Sequence, residues 1–324
     1  MSSFMTVDHP GLLSLVVDKE RLGFQNIGIS AGGPADHYSC HWANKLVGND
    51  DILPCIEVVG DGAQFTFSDD CTIAITGGTS EIRLNHAIHP SWQNFQIKSG
   101  DRLQIQNSAL GIRHYIAVCG GLTVEPIFGS ATAVTRDGLG GQRGDGSAVS
   151  VSEKLAYKCK QFPWALHAPK QAIIQAHKSL CIDLVMGYQF DKFKPSGRQQ
   201  FFSNNYTLTP NSSRMAARFA GSPILSPSDP ILSEGIAKGA LQIPPDGLPI
   251  VMLADRQTVG GYPKLGSVTS HASDLLAQAC AGSEVQFNPI DFQLAHNKLN
   301  LKHVATQRLY SECEANRRKA EYLS

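Results

Sequence analysis

Between Cys71 and Cys119 the chain reads as a train of short β-forming runs, Thr72–Thr76, Glu81–Leu84, Asn94–Ile97, Arg102–Gln106 and Arg113–Cys119. Turn residues separate them, Gly77-Gly78 after the first and Ser99-Gly100-Asp101 before the fourth. Many short strands at close spacing predict a small closed or nearly closed β-barrel. Upstream, Gly11–Val17 reads as a strand, Asp18–Gly23 as a charged turn and Phe24–Ser30 as a second extended run. Asp36 then precedes a helix over His37–Val47, with Tyr38, Trp42, Ala43, Leu46 and Val47 at helical spacing and a stop at Gly48-Asn49. Cys55–Val59 and Gln64–Phe67 return to strand.

The second half echoes the first. Ser213–Gly221 repeats the pattern of Asp36–Gly48, with Gly221 offset from Gly48 by 173 positions, and Ala281–Phe287 repeats Ser99–Ile105. Phe162-Pro-Trp and Ala168-Pro-Lys break regular structure between Lys160 and Lys170. The expected organisation is an N-terminal β-barrel domain over 1–165, a C-terminal one over 166–290, and a peripheral helix or tail over 291–324. At 324 residues there is chain enough for two cores.

Lys and Arg number 28 and Asp and Glu 28, with no basic run and no interleaving of basic and aromatic residues, which excludes a nucleic-acid partner. No apolar run reaches the roughly 20 residues of a membrane helix, and the start MSSFMTVDHP lacks the charged and apolar regions of a secretion signal. Eight scattered cysteines without a CxxC pair read as reduced thiols. A cytoplasmic protein without a membrane partner is the expectation. The glycine-rich Leu139–Gly146 lacks the Lys-Ser or Lys-Thr of a P-loop and reads as tight turns. His37 and His41, and His86 and His89, lack the further ligands of a zinc site, so no metal is expected. Cys119, in an apolar strand, reads as a buried small residue.

Chemistry concentrates in Gly239–Gly266. Pro244-Pro245-Asp246-Gly247 is a turn sequence, Pro249–Ala254 a buried strand, and directly after it come Asp255, Arg256, Gln257 and Thr258, then Gly260-Gly261-Tyr262-Pro263-Lys264. A strand end carrying this many polar groups beside paired glycines can hold out binding groups, or it can be a solvated, salt-bridged turn.

Gly239-Ala-Leu-Gln242-Ile-Pro-Pro-Asp-Gly247 followed by Asp255-Arg-Gln-Thr-Val-Gly-Gly-Tyr-Pro-Lys264 resembles the signature of the biotin-dependent carboxyltransferase family. That family includes the C subunit of 5-oxoprolinase, the second subunit of allophanate hydrolase and the carboxyltransferase domain of urea amidolyase-type enzymes. Gly28–Asp36, Ala43–Asn49, Gly111–Gly121 and Phe128-Gly-Ser130 are similar to further motifs of the family, so the resemblance runs from about Gly11 to Pro289. Three motifs depart from it: Val17-Asp-Lys-Glu-Arg21 stands for Gln-Asp-Leu-Gly-Arg, Gly187-Tyr-Gln189 for Gly-Pro-Gln, and Ser213-Arg-Met-Ala216 for Asp-Arg-Met-Gly.

The resemblance implies a mainly β chain of two tandem cyclophilin-like β-barrel domains, with a companion B subunit of related fold and an A subunit. It implies the C subunit of an ATP-dependent 5-oxoprolinase, a hydrolase that opens the lactam of 5-oxoproline to L-glutamate. The cofactor is ATP, with or without Mg, bound by the complex, and no biotin attachment sequence occurs on this chain. Asp255 or Asp36 would take a proton or position the metal–nucleotide. Arg256 and Lys264 would clamp carboxylate or phosphate oxygens. Gln242, Gln257, Asn44 and Tyr262 would hydrogen-bond an amide or ureido edge, with Arg21 among the substrate-binding residues. Each has a structural alternative as a hydrogen bond inside a barrel, and Asp36 can cap its helix. Two other functions are weighed: a carboxyltransferase or allophanate hydrolase-like subunit that works on a urea-type amide, and a non-catalytic regulatory module that binds a partner protein.

Overall fold

The computed structural model describes residues 3–50, 52–174, 177–227 and 231–323. Among these the chain forms eighteen strands and four α-helices, in two compact units: residues 1–21, 36–176 and 303–324, and residues 22–35 and 177–302.

In the first unit β1 (Ser3–Pro10), β2 (Leu13–Val17), β3 (Cys55–Val59), β4 (Ala63–Phe67), β5 (Cys71–Leu84), β6 (Ala87–Pro90), β7 (Gln93–Ile97), β8 (Arg102–Val118) and β9 (Lys154–Tyr157) make a nine-stranded sheet. Its spine runs β2-β3-β8-β4-β1-β9, with β5 paired to β6, β7 and β8. Alternating positions such as Phe65 and Phe67, Ile73 and Ile75, and Leu103 and Ile105 fill the core. The expected turn at Gly77-Gly78 does not form. The runs on either side join into the single strand β5, with register shifts near Thr79. The reason is close approach: a Cβ on Gly77, at φ +100°, would lie 2.1 Å from the carbonyl oxygen of Arg113, so glycine lets the ladder bulge and continue. The two runs 102–106 and 113–119 likewise form one strand, β8.

Helix α1 (His37–Leu46) starts where expected, because Asp36 accepts the backbone N–H of Ser39 at 3.0 Å. Its buried face sets Trp42 against Trp92 and Tyr310. Phe24–Ser30, by contrast, is not extended: Gln25–Ile27 is a 3₁₀ turn.

The second unit closes. Strands β10 (Ser179–Met186), β11 (Asn205–Leu208), β12 (Ala216–Ala220), β14 (Ala240–Gln242), β15 (Ile250–Met252), β17 (Lys264–Val268) and β18 (Glu284–Ile290) form a barrel in the order β10-β17-β14-β15-β12-β11-β18. Only the β10–β18 seam is parallel. A two-stranded ribbon, β13 (Glu234–Gly235) with β16 (Val259–Gly260), stands apart from the barrel sheet. Helices α2 (Pro195–Ser203) and α3 (Ser270–Gln278) complete the unit, and Phe201, Tyr206, Phe219 and Phe287 centre its core. The segment expected as a peripheral helix or tail is helix α4 (Phe292–Leu323), with Tyr310 and Cys313 buried in the first unit.

The expectation of a mainly β chain with tandem barrel domains holds. The repeat holds only in part. Ser99–Ile105 and Ala281–Phe287 are both a turn feeding a strand, with Gly100 and Gly282 each at φ +88°. Ser213–Gly221, however, leads into strand β12, whereas Asp36–Gly48 is helical. What they share is apolar spacing, which pairing partners resolve into different structures.

Candidate functional site

Arg21 is buried, and its guanidinium donates to the carbonyl oxygens of Ile127, Ser130 and Thr132 at 2.9, 3.1 and 2.9 Å. Asp18 takes the opposite polarity of the same loop, accepting the N–H of Ala131 and Thr132 and the hydroxyls of Ser130 and Thr132. Asp36 is fully buried and uses its carboxylate on the N–H and hydroxyl of Ser39, while its own N–H meets the Tyr115 hydroxyl. Asn44 closes the end of α1, accepting from Asn49 and from the N–H of Leu53 and donating to the Cys40 carbonyl. These three sequence candidates belong to the first unit, each woven into its polar scaffold.

The other six belong to the second unit. β15 ends at Met252, and the turn after it carries Asp255 and Arg256, both 6% exposed. Asp255 accepts a two-point guanidinium fork from Arg214, at 2.8 and 2.9 Å, the strongest geometry an ion pair can take. Arg214 also donates to the carbonyl of Gly33 at 2.7 Å. Arg256 donates to the carbonyl of Ile236 at 2.9 Å, and its own carbonyl accepts the Ser30 hydroxyl. These contacts tie residues 22–35 into the second unit.

A second group gathers around β14, β17 and the ribbon. Gln242 and Lys264 are register partners on adjacent strands and so share a face. Gln242 is 1% exposed, and its carboxamide nitrogen has no hydrogen-bond partner among the described residues. The side-chain nitrogens of Gln242 and Gln257 both lie 3.5 Å from where a Cβ on Gly260 would sit. Lys264 reaches Glu234 at 2.7 Å and the carbonyl of Gly235 at 3.0 Å. Glu234 further accepts from Gln189 at 2.7 Å and from the hydroxyl of Tyr188. Gln189, itself buried, uses its side-chain oxygen to accept the backbone N–H of Lys264 at 2.7 Å. Tyr262 stands exposed two residues before Lys264.

Charge follows this geometry. Burial works to raise Glu234, but the Lys264 hydrogen bond, the Tyr188 hydroxyl and the nearby ammonium together hold its carboxyl below the usual range. The hydrogen bond to Glu234, then burial, then the charge of Glu234 push the Tyr188 phenol up. A buried amide donor beside an ammonium is what a carbonyl oxygen gaining negative charge needs.

Sequence reasoning left out Arg214, Gln189, Tyr188 and Glu234. The first three sit inside the short motifs at 213–216 and 187–189, which is a signal. Glu234 has none, being a single carboxylate in Leu232-Ser-Glu-Gly.

Elsewhere the sequence candidates for other chemistry are occupied. His37 contacts Glu20 at 3.1 Å, His41 packs on Tyr310 and His89 on Phe95. Among the described residues no group of three or more His, Cys, Asp or Glu is placed to hold a metal ion. Burial raises the Cys119 thiol, with Lys160 opposing, which disfavours the nucleophilic thiolate. The glycine-rich loop is a set of turns: a Cβ on Gly140, at φ +73°, would lie 2.0 Å from the carbonyl oxygen of Thr132. Among the described residues no helix is long and apolar enough to cross a membrane.

Residues 27–289 match the family described as carboxyltransferase domain, subdomain A and B. The chain belongs to this carboxyltransferase family. Within it, the chain is similar to the 5-oxoprolinase C subunit of Escherichia coli K12, 31% identical over 86% of this chain and 88% of that protein. It is also similar to the 5-oxoprolinase C subunit of Haemophilus influenzae, 28% identical over 86% of this chain and 89% of that one. The solved urea amidolyase of K. lactis matches 94% of the chain at a TM-score of 0.85 and 23% identity. That likeness establishes the fold, and the chain spans 20% of that much longer protein.

Proposed function

We propose that this chain is the C subunit of an ATP-dependent 5-oxoprolinase, a cytoplasmic hydrolase assembled with a companion B subunit and an A subunit. The observation that carries the reading is the similarity to two 5-oxoprolinase C subunits along nearly nine-tenths of their length. The site geometry supports it. Gln242, with Gln257 beside it, offers amide donors to the lactam oxygen, and Lys264 offers an ammonium to carboxylate or phosphate oxygens. Tyr262 lies exposed in the same segment. Asp255 and Arg256 fix the strand end from which Gln257 projects.

An unactivated lactam resists water, so ATP is required. Attack of the lactam oxygen on the γ-phosphorus releases ADP and leaves a phosphorylated imidate. Water then adds to its carbon, opening of the C–N bond gives the γ-acyl phosphate of glutamate, and a second water displaces phosphate to leave glutamate. Donors aimed at that oxygen favour the charge it carries before transfer.

A second reading has its own observation. Lys264 is already neutralised by Glu234, which suits an uncharged urea-type amide.

The deciding experiment is ATP-dependent glutamate formation from 5-oxoproline by the assembled complex, with each chain omitted in turn. Activity should vanish when this chain is left out and fall roughly 10²-fold with Lys264→Met, the scale of losing one charge-stabilising donor. Full activity without this chain overturns the reading.

A further inference from the structure

Glu234 is a carboxylate in a setting that any small carboxylate could share. Three different donors converge on it: the Lys264 ammonium, the Gln189 carboxamide and the Tyr188 phenol. The donors are well founded. Gln189 is 2% exposed and is held in place by the backbone N–H of Lys264, while Lys264 belongs to the closed barrel. The acceptor is not. Glu234 sits on a two-residue strand whose ladder is only the equally short β16, and its side chain is 33% exposed against 13% for Lys264. Moving Lys264, and Gln189 with it, demands disruption of barrel strand β17, whereas moving Glu234 demands only that a short ribbon shift. Behind the cradle, on the same face as Lys264, the amide nitrogen of Gln242 is buried without an acceptor among the described residues. A buried donor lacking a partner is costly unless a ligand supplies one.

We propose that Tyr188, Gln189 and Lys264 form a carboxylate subsite in which Glu234 is a resident stand-in, exchanged for the carboxylate of a ligand whose amide oxygen reaches Gln242. The ligand class is a small cyclic amide that also bears a carboxylate, so this subsite rests on, and narrows, the lactam reading above. It also accounts for the Lys264–Glu234 pair without a urea-type substrate: the pair stores the cation until an anion of the right shape arrives. Tyr188, standing where the resembling motif has proline, is then a specificity-determining residue, because it adds a third donor for the ligand carboxylate.

The test is calorimetric binding to the full chain of 5-oxoproline, of 2-pyrrolidinone, which is the same lactam without the carboxylate, and of acetate. Glu234→Ala should tighten 5-oxoproline about tenfold or more by removing its internal competitor, leave 2-pyrrolidinone unchanged and create measurable acetate binding. Adding Tyr188→Phe to that variant should weaken 5-oxoproline and acetate several-fold but not 2-pyrrolidinone. Tyr188 is 74% exposed, so this change spares the core. If Glu234→Ala fails to fold, Glu234→Gln keeps the shape, removes the charge and should shift the same ligands in the same directions. Unchanged or weaker 5-oxoproline binding, or equal tightening of both lactams, overturns the proposal. The two readings fail separately. Absent glutamate formation with intact acetate binding removes the oxoprolinase assignment alone, and normal glutamate formation without the ligand contrast removes the subsite alone.

Discussion

Asp18 in the first unit and Glu234 in the second are both carboxylates gripped by three or more donors, but the donors differ in kind. Those of Asp18 are the amides and hydroxyls of one loop, 130–132, which Arg21 simultaneously holds by its carbonyls. Backbone amides cannot rotate away, so that cluster is a staple. Those of Glu234 are the ends of three side chains, of which only Tyr188 is exposed, and such groups can grip another anion equally well. Arg214 and Asp255 show that the second unit also builds staples, with side chains only 6% and 9% exposed. Fixed donors mark scaffold, and side-chain donors around a lightly held acceptor are where the proposed subsite lies.

Four measurements can break or sharpen this contrast. Asp255→Ala leaves the Arg214 guanidinium buried beside no carboxylate and should cost about 3–5 kcal/mol in urea unfolding. Asp18→Ala strands the backbone amide of Ala131, leaves that of Thr132 with only the Ser130 hydroxyl and should cost about 3 kcal/mol. A loss under about 1 kcal/mol for either would refute the staple description. Lys264→Met should fall within about 1 kcal/mol of wild type in stability, as for a partly exposed pair, while turnover drops; a large stability loss would move Lys264 into the scaffold class.

The smallest effect is read from pH. Burial depresses buried His114 to about 4, with Asp61 opposing, against an ordinary 6.5. The unfolded chain therefore binds more protons between those values, and stability falls as pH drops from 6.5 towards 4. His114→Gln should reduce the slope of that window without abolishing it, because burial, with Lys302 beside it, also depresses His271 to about 4. Glu234→Gln should leave it alone and act only at more acid pH, because a lowered carboxyl contributes above its unfolded range and is lost as pH falls through its folded value. The same pH profile for both variants would erase the distinction.

The parts of this chain legible in advance were those whose causes are local. Asp36 caps α1 because an Asp before a helical apolar stripe has its acceptor within reach of the third N–H. Pro244–Gly247 turns because proline and glycine restrict and free φ, and the Gly247 N–H duly meets the Pro244 carbonyl at 2.9 Å. Gln242 and Lys264 stand out through a motif, and strand register puts them on one face. Less legible were groups whose role depends on a distant partner. Arg21 and Asp18 read as a charged turn, yet what they hold is a loop more than 100 residues away in the chain. Phe24–Ser30 reads as extended, yet this stretch bends to meet Ile236 and Arg256, and Gly33 just beyond it meets Arg214.

By itself the sequence determined a mainly β chain, the turn at Pro244–Gly247, its first helix and its family, because each of these follows from neighbours in the chain or from a long contiguous motif. Only the tertiary structure decided which charges are consumed in holding the fold and which are lightly held. Whether Asp255 is a base or half of a fork, and whether Lys264 faces water or Glu234, depends on what barrel closure brings within about 3 Å, and hydrogen bonds and ion pairs are decided at that distance.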